Sequence, residues 1–176
     1  MTFSNGLRGF ITCLIVILIG MLVPSSAEGQ TRRYTDQTLQ YALDLPSRDW
    51  NIISGVGITG ESTEFSYGKG LVLLRVRREL KDADVSTAEV VQRQQQFDRV
   101  SLAGYLKGEI ESFAGRLSGT RYPYEYISAG KRVKRITYYL QANNRVIYRI
   151  EFTGPAEELS DVTNDIEFIA RSFRLK

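Results

Sequence analysis

The sequence contains no histidine, and its one cysteine is Cys13. Nucleophilic catalysis by serine or cysteine ordinarily needs an adjacent base, most often an imidazole, and zinc sites draw chiefly on imidazole and thiolate. Neither arrangement can be assembled here, which leaves carboxylates and tyrosines for any acid–base work. A lone cysteine cannot close a disulfide within the chain, so the fold must rest on packing. An excess of one charge is also missing: 23 Lys and Arg face 20 Asp and Glu, a formal net charge of +3. Such a balance gives no general drive toward nucleic acid. No apolar run is long, either. The stretch from Phe10 to Val23 is about 14 residues, short of the roughly 20 that a spanning helix needs.

That stretch has a different reading. Arg8 is the single charged side chain before it, Pro24 ends it, and Ser25-Ser26-Ala27 follows with small residues. These are the three parts of a cleavable secretory signal peptide, with cleavage expected after Ala27. Cys13 lies inside the apolar core after Thr12, a poor setting for lipidation. Arg32-Arg33 follows the run rather than preceding it, so it is not a twin-arginine signal. The chain thus divides into a signal peptide at 1–27, a loose polar lead-in at 28–38 and a single domain at 39–176. Cleavage removes Arg8 and Cys13, and leaves no transmembrane anchor. The expected location is exported: periplasmic or extracellular, or the thylakoid lumen in a photosynthetic source.

Leu39, Tyr41, Leu43 and Leu45 alternate with polar or small residues, the period of a strand with one buried face. Trp50 to Ile53 and Thr63 to Tyr67 read as short strands, and Gly68-Lys69-Gly70 as a turn. Leu71 to Leu80 is the strongest strand, with Val72, Leu74 and Val76 on one face and Leu71, Leu73, Arg75 and Arg77 on the other. Ser86-Thr87-Ala88-Glu89 matches a capping box that opens a helix. Leu102, Leu106, Ile110, Phe113 and Leu117 continue at helical spacing, after a bend or break near Arg99 to Gly104. Arg121 to Ser128, Arg132 to Gln141 and Arg145 to Phe152 read as strands. In the last two, a three-residue loop at Ala142-Asn143-Asn144 gathers Ile136, Tyr138, Leu140, Val146, Tyr148, Ile150 and Phe152 on one face. It pairs Arg135 with Glu151 and places Asn144 in a left-handed conformation. A closing helix begins with Pro155 at its first position and carries a stripe of Leu159, Val162, Ile166, Ile169 and Phe173. The class is α+β: a central antiparallel sheet of about six strands sandwiched by helices.

Four segments invite a chemical reading. Gly55-Val-Gly-Ile-Thr-Gly60 spells the dinucleotide fingerprint, but a strand-like Glu64 to Tyr67 follows where the phosphate-binding helix should start. Asp82-Ala83-Asp84 lacks the ligand spacing of a calcium loop. Lys131, Arg132, Lys134 and Arg135 form the densest basic run, and the hairpin brings Arg149 near Arg135. This patch suits an anionic partner or a charged, soluble edge. Tyr122, Tyr124 and Tyr126 share a face, and Pro123 between them points to an edge strand. Tyrosines so placed serve a core or a binding surface equally well. No catalytic residue, cofactor site or metal site is identified.

The segments Tyr122-Pro-Tyr-Glu-Tyr-Ile-Ser128, Val133 to Tyr139, Asn144 to Phe152 and Asp165 to Phe173 resemble the closing strands and helix of PsbP-like proteins. Tyr41-Ala-Leu-Asp-Leu-Pro46 with Trp50 is similar to the early strand of that family. The resemblance implies a helix–sheet–helix sandwich, shared with exported bacterial DcrB-like proteins and a nuclear-import factor, and a mostly non-enzymatic role. Histidines that bind metal in some relatives have no counterpart here. The expectation is therefore an exported, non-catalytic binding or assembly domain whose partner is an envelope or secreted protein. A small-ligand carrier or enzyme with a carboxylate/tyrosine pocket is the first alternative. The second is contact of the basic hairpin with an anionic lipid or polymer.

Overall fold

The computed structural model of the chain describes residues 31–53 and 62–176. The expected signal peptide and the Gly55 to Gly60 run lie outside the described residues. Along the chain come β1 (Arg32–Asp36), β2 (Tyr41–Leu45), β3 (Trp50–Ile52), β4 (Ser62–Tyr67), β5 (Val72–Leu80), α1 (Thr87–Ser101), β6 (Leu106–Lys107), β7 (Glu111–Ala114), β8 (Ser118–Ser128), β9 (Lys131–Gln141), β10 (Val146–Pro155), α2 (Ala156–Asp161), α3 (Thr163–Ser172) and β11 (Arg174–Leu175). One large antiparallel sheet runs β3-β4-β5-β10-β9-β8-β6, with β7 also paired to β8; a small sheet runs β1-β2-β11.

The two faces of the large sheet have different fates. Val72, Leu74 and Val76 alternate along β5 onto the same side as Ile136, Tyr138, Leu140, Tyr148, Ile150 and Phe152. On them pack the small sheet and the helical stripe Leu159, Val162, Ile166, Ile169 and Phe173, all buried. Burying a side chain of this size stabilises by about 1.5–3 kcal/mol, so this layer supplies most of the stability. Trp50 lies fully buried in it and donates its indole N–H to Asp165 at 3.0 Å. The opposite face carries a smaller cluster, in which Val91 of α1 packs on Tyr122, Tyr124, Tyr139 and Ile147.

Several expectations need correction. The expected lead-in is not loose at its end: Arg32–Asp36 forms β1 against β2, with Tyr34 edge-on to Phe65 and Arg33 paired to Asp44 at 3.2 Å. The large sheet has eight strands rather than six, because the segment expected to continue α1 turns into β6 and β7. The Ser86–Glu89 capping box does start α1, and the chain breaks within the expected stretch, the helix ending at Ser101 with Leu102 extended and Gly104 at φ +60°, but no helix resumes over Leu106 to Leu117. Beyond it Gly108 lies so close to β8 that a Cβ would stand 2.5 Å from the Pro123 carbonyl oxygen. Glycine-rich spacing overrides the apparent helical period.

The β9–β10 hairpin is shifted by two residues. Ala142 bonds Val146, Thr137 faces Glu151, and Arg135 faces Thr153. Asn144 does not adopt a left-handed conformation; instead the Asn143 side chain accepts from the amides of Arg145 and Val146, both at 2.9 Å. That side-chain turn sets the loop at Asn143 to Arg145. A shift of two keeps every residue on its expected face. The C-terminal stripe is also split between α2 and α3 at Val162, and Pro155 caps α2 rather than opening it.

Asp36 ties the small sheet to the large one. Its carboxylate accepts from the amides of Thr38 and Leu39 and from the hydroxyls of Thr63 and Tyr34. Burial alone would raise its pKa, but the Leu39 amide, Thr63 and the Thr38 amide together hold it below the usual value. A lowered folded-state pKa gives stability that is complete above the unfolded value of about 3.9 and is lost as pH falls through the folded one. Asp36→Asn is expected to flatten the acid limb of stability. Urea midpoints at neutral pH and below about pH 4 check this, and an unchanged acid limb would refute the assignment.

Candidate binding surface

The strongest concentration of charged and aromatic side chains lies on the sheet face that α1 half covers. Strand pairing sets the rows: Tyr124 with Arg135 and Thr153; Tyr122 with Thr137, Glu151, Arg75 and Glu64; Tyr139 with Arg149, Arg77 and Ser62. Directly paired residues share a face. α1 sits over β8 and β9, where Thr87 hydrogen-bonds Thr120 at 2.9 Å. α1 also reaches Ile147 at the start of β10, and toward Leu71 and Leu73 the face opens, those two being 54% and 41% exposed.

Arg135 is held by four groups. It donates to the hydroxyls of Tyr124 at 3.1 Å, Tyr126 at 2.9 Å and Thr153 at 3.1 Å, and stands 3.6 Å from Glu151. Glu151, itself buried, accepts from Arg149 at 2.7 Å, and Arg149 reaches Glu79 at 3.6 Å. Arg75 pairs with Glu64 at 2.6 Å. Burial opposes charge on Arg135 and Arg149, yet Glu151 and the neighbouring tyrosines raise both above the usual arginine value. Burial raises Tyr124 despite Arg135 beside it. The result is a lattice of ion pairs and hydroxyls whose side chains hold one another in place.

The structure separates the residues that the sequence groups together. Tyr122 and Tyr124 are buried under α1, while Tyr126 is half-buried beside Arg135. Pro123 is not on a bare edge; it sits opposite Ile136, between the stretches that pair with β6 and β7. Lys131 and Arg132 lie exposed at the start of β9. Strand alternation sends Arg132 and Lys134 to the other face, where Arg132 meets Glu125 at 3.6 Å and Lys134 lines a separate depression with Lys107 and Arg121. Only Arg135 and Arg149 join the lattice. Arg75, Glu64 and Glu79 complete it, Arg77 stands beside them on the same face, and all four were absent from the expected patch. Their signal was the polar alternation on β5, whose neighbours were not identifiable without the strand order.

Beneath α1 lies a second polar group. Asp98, buried at 3% exposure, accepts from Tyr122 at 3.0 Å and Gln94 at 2.8 Å, and Tyr122 meets Tyr105 at 3.0 Å. Burial, then Tyr105 and Asp98, push the Tyr122 hydroxyl far up, so it stays a neutral hydrogen-bonding group. Alongside, a groove of about 500 Å³ runs between α1 and the end of β5, with Val85, Val90, Phe97 and Ile147 among its walls. No group of three or more His, Cys, Asp or Glu among the described residues could hold a metal ion. No helix among them is long and apolar enough to cross a membrane.

No family model matches the chain, and no curated protein matches it by sequence. Solved structures do match. A protein from Bacteroides thetaiotaomicron superposes with a TM-score of 0.59 at 12% identity, over 85% of this chain and 49% of its own. The chain thus spans about half the length of that relative. Cyanobacterial PsbP from Synechocystis superposes with a TM-score of 0.59 at 13% identity, over 90% of this chain and 99% of its own. LpqN from Mycobacterium tuberculosis, described as involved in cell envelope biogenesis, gives 0.55 at 13% identity over 84% and 92%. At such identities the likeness speaks to architecture alone. With its large antiparallel sheet packed by few helices, the chain has the PsbP-like fold.

Proposed function

We propose that the protein is an exported, non-catalytic binding domain that docks another envelope or secreted protein through the open half of its sheet. One observation carries this reading: exposed Leu71 and Leu73 lie beside an arginine–tyrosine–glutamate lattice whose side chains already hold each other in place. Arginine and tyrosine are enriched in interfaces, and side chains fixed beforehand lose less entropy on binding. The leader-like N-terminus supports export, as does the description of one structural neighbour as an envelope-biogenesis protein.

The test is capture from native envelope extracts. The wild-type protein is expected to retain a specific partner that Leu73→Glu loses about tenfold or more, while Lys134→Glu, on the other side of the sheet, retains it. Thermal midpoints confirm that both variants fold. Equal capture by both variants would defeat the assignment of the face.

A small-ligand carrier is the second reading. Its support is the groove beside α1 together with two buried groups that lack a hydrogen-bond partner, the Tyr139 hydroxyl and the Gln95 side-chain amide. A small molecule retained in native mass spectra would favour it.

A further inference from the structure

On the open half of the sheet, Arg149 of β10 and Arg77 of β5 stand directly opposite each other. Cα atoms so paired are about 4.5–5.5 Å apart, and like charges placed this way repel. Elsewhere the face neutralises its cations: Glu64 takes Arg75, and Glu151 and Glu79 take Arg149. Arg77 is the exception. Among the described residues it makes no hydrogen bond or ion pair, and Arg149 opposite it keeps 16% of its side chain exposed. Two opposed guanidiniums, with the donors of Arg77 unspent, are a cradle for a carboxylate, which could bridge them with charge-assisted hydrogen bonds.

We propose that Arg77 and Arg149 clamp a carboxylate from an acidic, extended segment of the partner protein. This rests on the reading that the open face docks a protein, and adds the chemistry of what it takes. Arg75 lies two residues along β5, about 7 Å away, which is also the spacing of alternate side chains in an extended chain. A segment with acids at every second position presents its next carboxylate to Arg75. A continuous anionic surface fits less well, because Glu64, Glu79 and Glu151 are interleaved with the arginines and repel it.

The test uses a fluorescent peptide of alternating Asp and Ser, read by anisotropy, with phosphatidylglycerol vesicles and polyphosphate as parallel arms. The peptide is expected to bind, to weaken as salt rises, and to bind about tenfold or more weakly to Arg77→Glu. Lys134→Glu makes the same charge change on the opposite face and should bind as wild type. Arg77→Gln relieves the repulsion, so it should unfold at a higher denaturant midpoint while still losing peptide. Absence of peptide binding, equal binding by Arg77→Glu, or binding to vesicles and polyphosphate alone would overturn the proposal. Capture of a native partner that depends on Leu73 but not on Arg77 would overturn the clamp and leave the docking face intact.

Discussion

Gly119→Ala is expected to destabilise the protein by about 3–5 kcal/mol, beyond the usual range for overpacking. Gly119 lies in β8 opposite Leu140 of β9. A Cβ built there would stand 1.9 Å from the Tyr139 carbonyl oxygen, 2.9 Å from its carbon and 3.0 Å from the Leu140 Cα. Each of these is a backbone atom, so no rotamer change can make room, and β8 must move away from β9 by more than an ångström. The strand pair at risk carries both cores: Leu140 and Tyr138 face the main one, and Tyr139 and Tyr122 face α1. Gly68 is the natural comparison. Nothing lies within 4 Å of its would-be Cβ, and only φ +55° opposes a side chain, a cost of about 1–2 kcal/mol. Urea midpoints of Gly119→Ala and Gly68→Ala decide the matter; equal losses would show that the close approach is not the cause.

The contrast between Gly119 and Gly68 also marks what a sequence reveals. Gly68-Lys69-Gly70 reads as a turn at once, because the signal is local. Gly119 gives no local sign, since the atom it must avoid belongs to Tyr139, twenty positions on. The same division runs through the fold. Alternation along β5 and the stripe on α2 and α3 identify their buried faces correctly, and Ser86 with Glu89 starts α1 as expected. The hairpin faces follow from alternation too, but the loop position depends on the Asn143 side chain, a choice between turns of similar energy. The stretch after α1 misleads because Leu106, Ile110 and Phe113 have helical spacing while strand pairing decides the state of this segment. For the surface, Arg135 and Arg149 could be placed together from one hairpin. Arg75 and Arg77 could not join them until β5 was known to pair with β10, a contact across some seventy residues.

Glu151→Ala is expected to cost about 3 kcal/mol, the lower end of the range for removing one member of a buried ion pair. The carboxylate side chain is 9% exposed, and it stands between Arg149 at 2.7 Å and Arg135 at 3.6 Å. Its loss leaves two guanidiniums that are themselves 16% and 22% exposed. Arg149 keeps Glu79, and Arg135 keeps three hydroxyls, which is why the cost stays below the upper limit. Glu151→Gln keeps the volume and one acceptor oxygen, and should lose about half as much. Denaturant midpoints order the three proteins, and a Gln variant as weak as Ala would show that charge alone matters. Binding should move the other way. Glu151 contributes a negative charge beside Arg149, so its removal makes the open face more cationic, and Glu151→Gln should hold an acidic peptide a few-fold more tightly than wild type does. A residue that lowers affinity for the ligand while it stabilises the fold is kept for the fold. Opposite signs in stability and binding would therefore separate the carboxylate that builds the lattice from the arginines that use it.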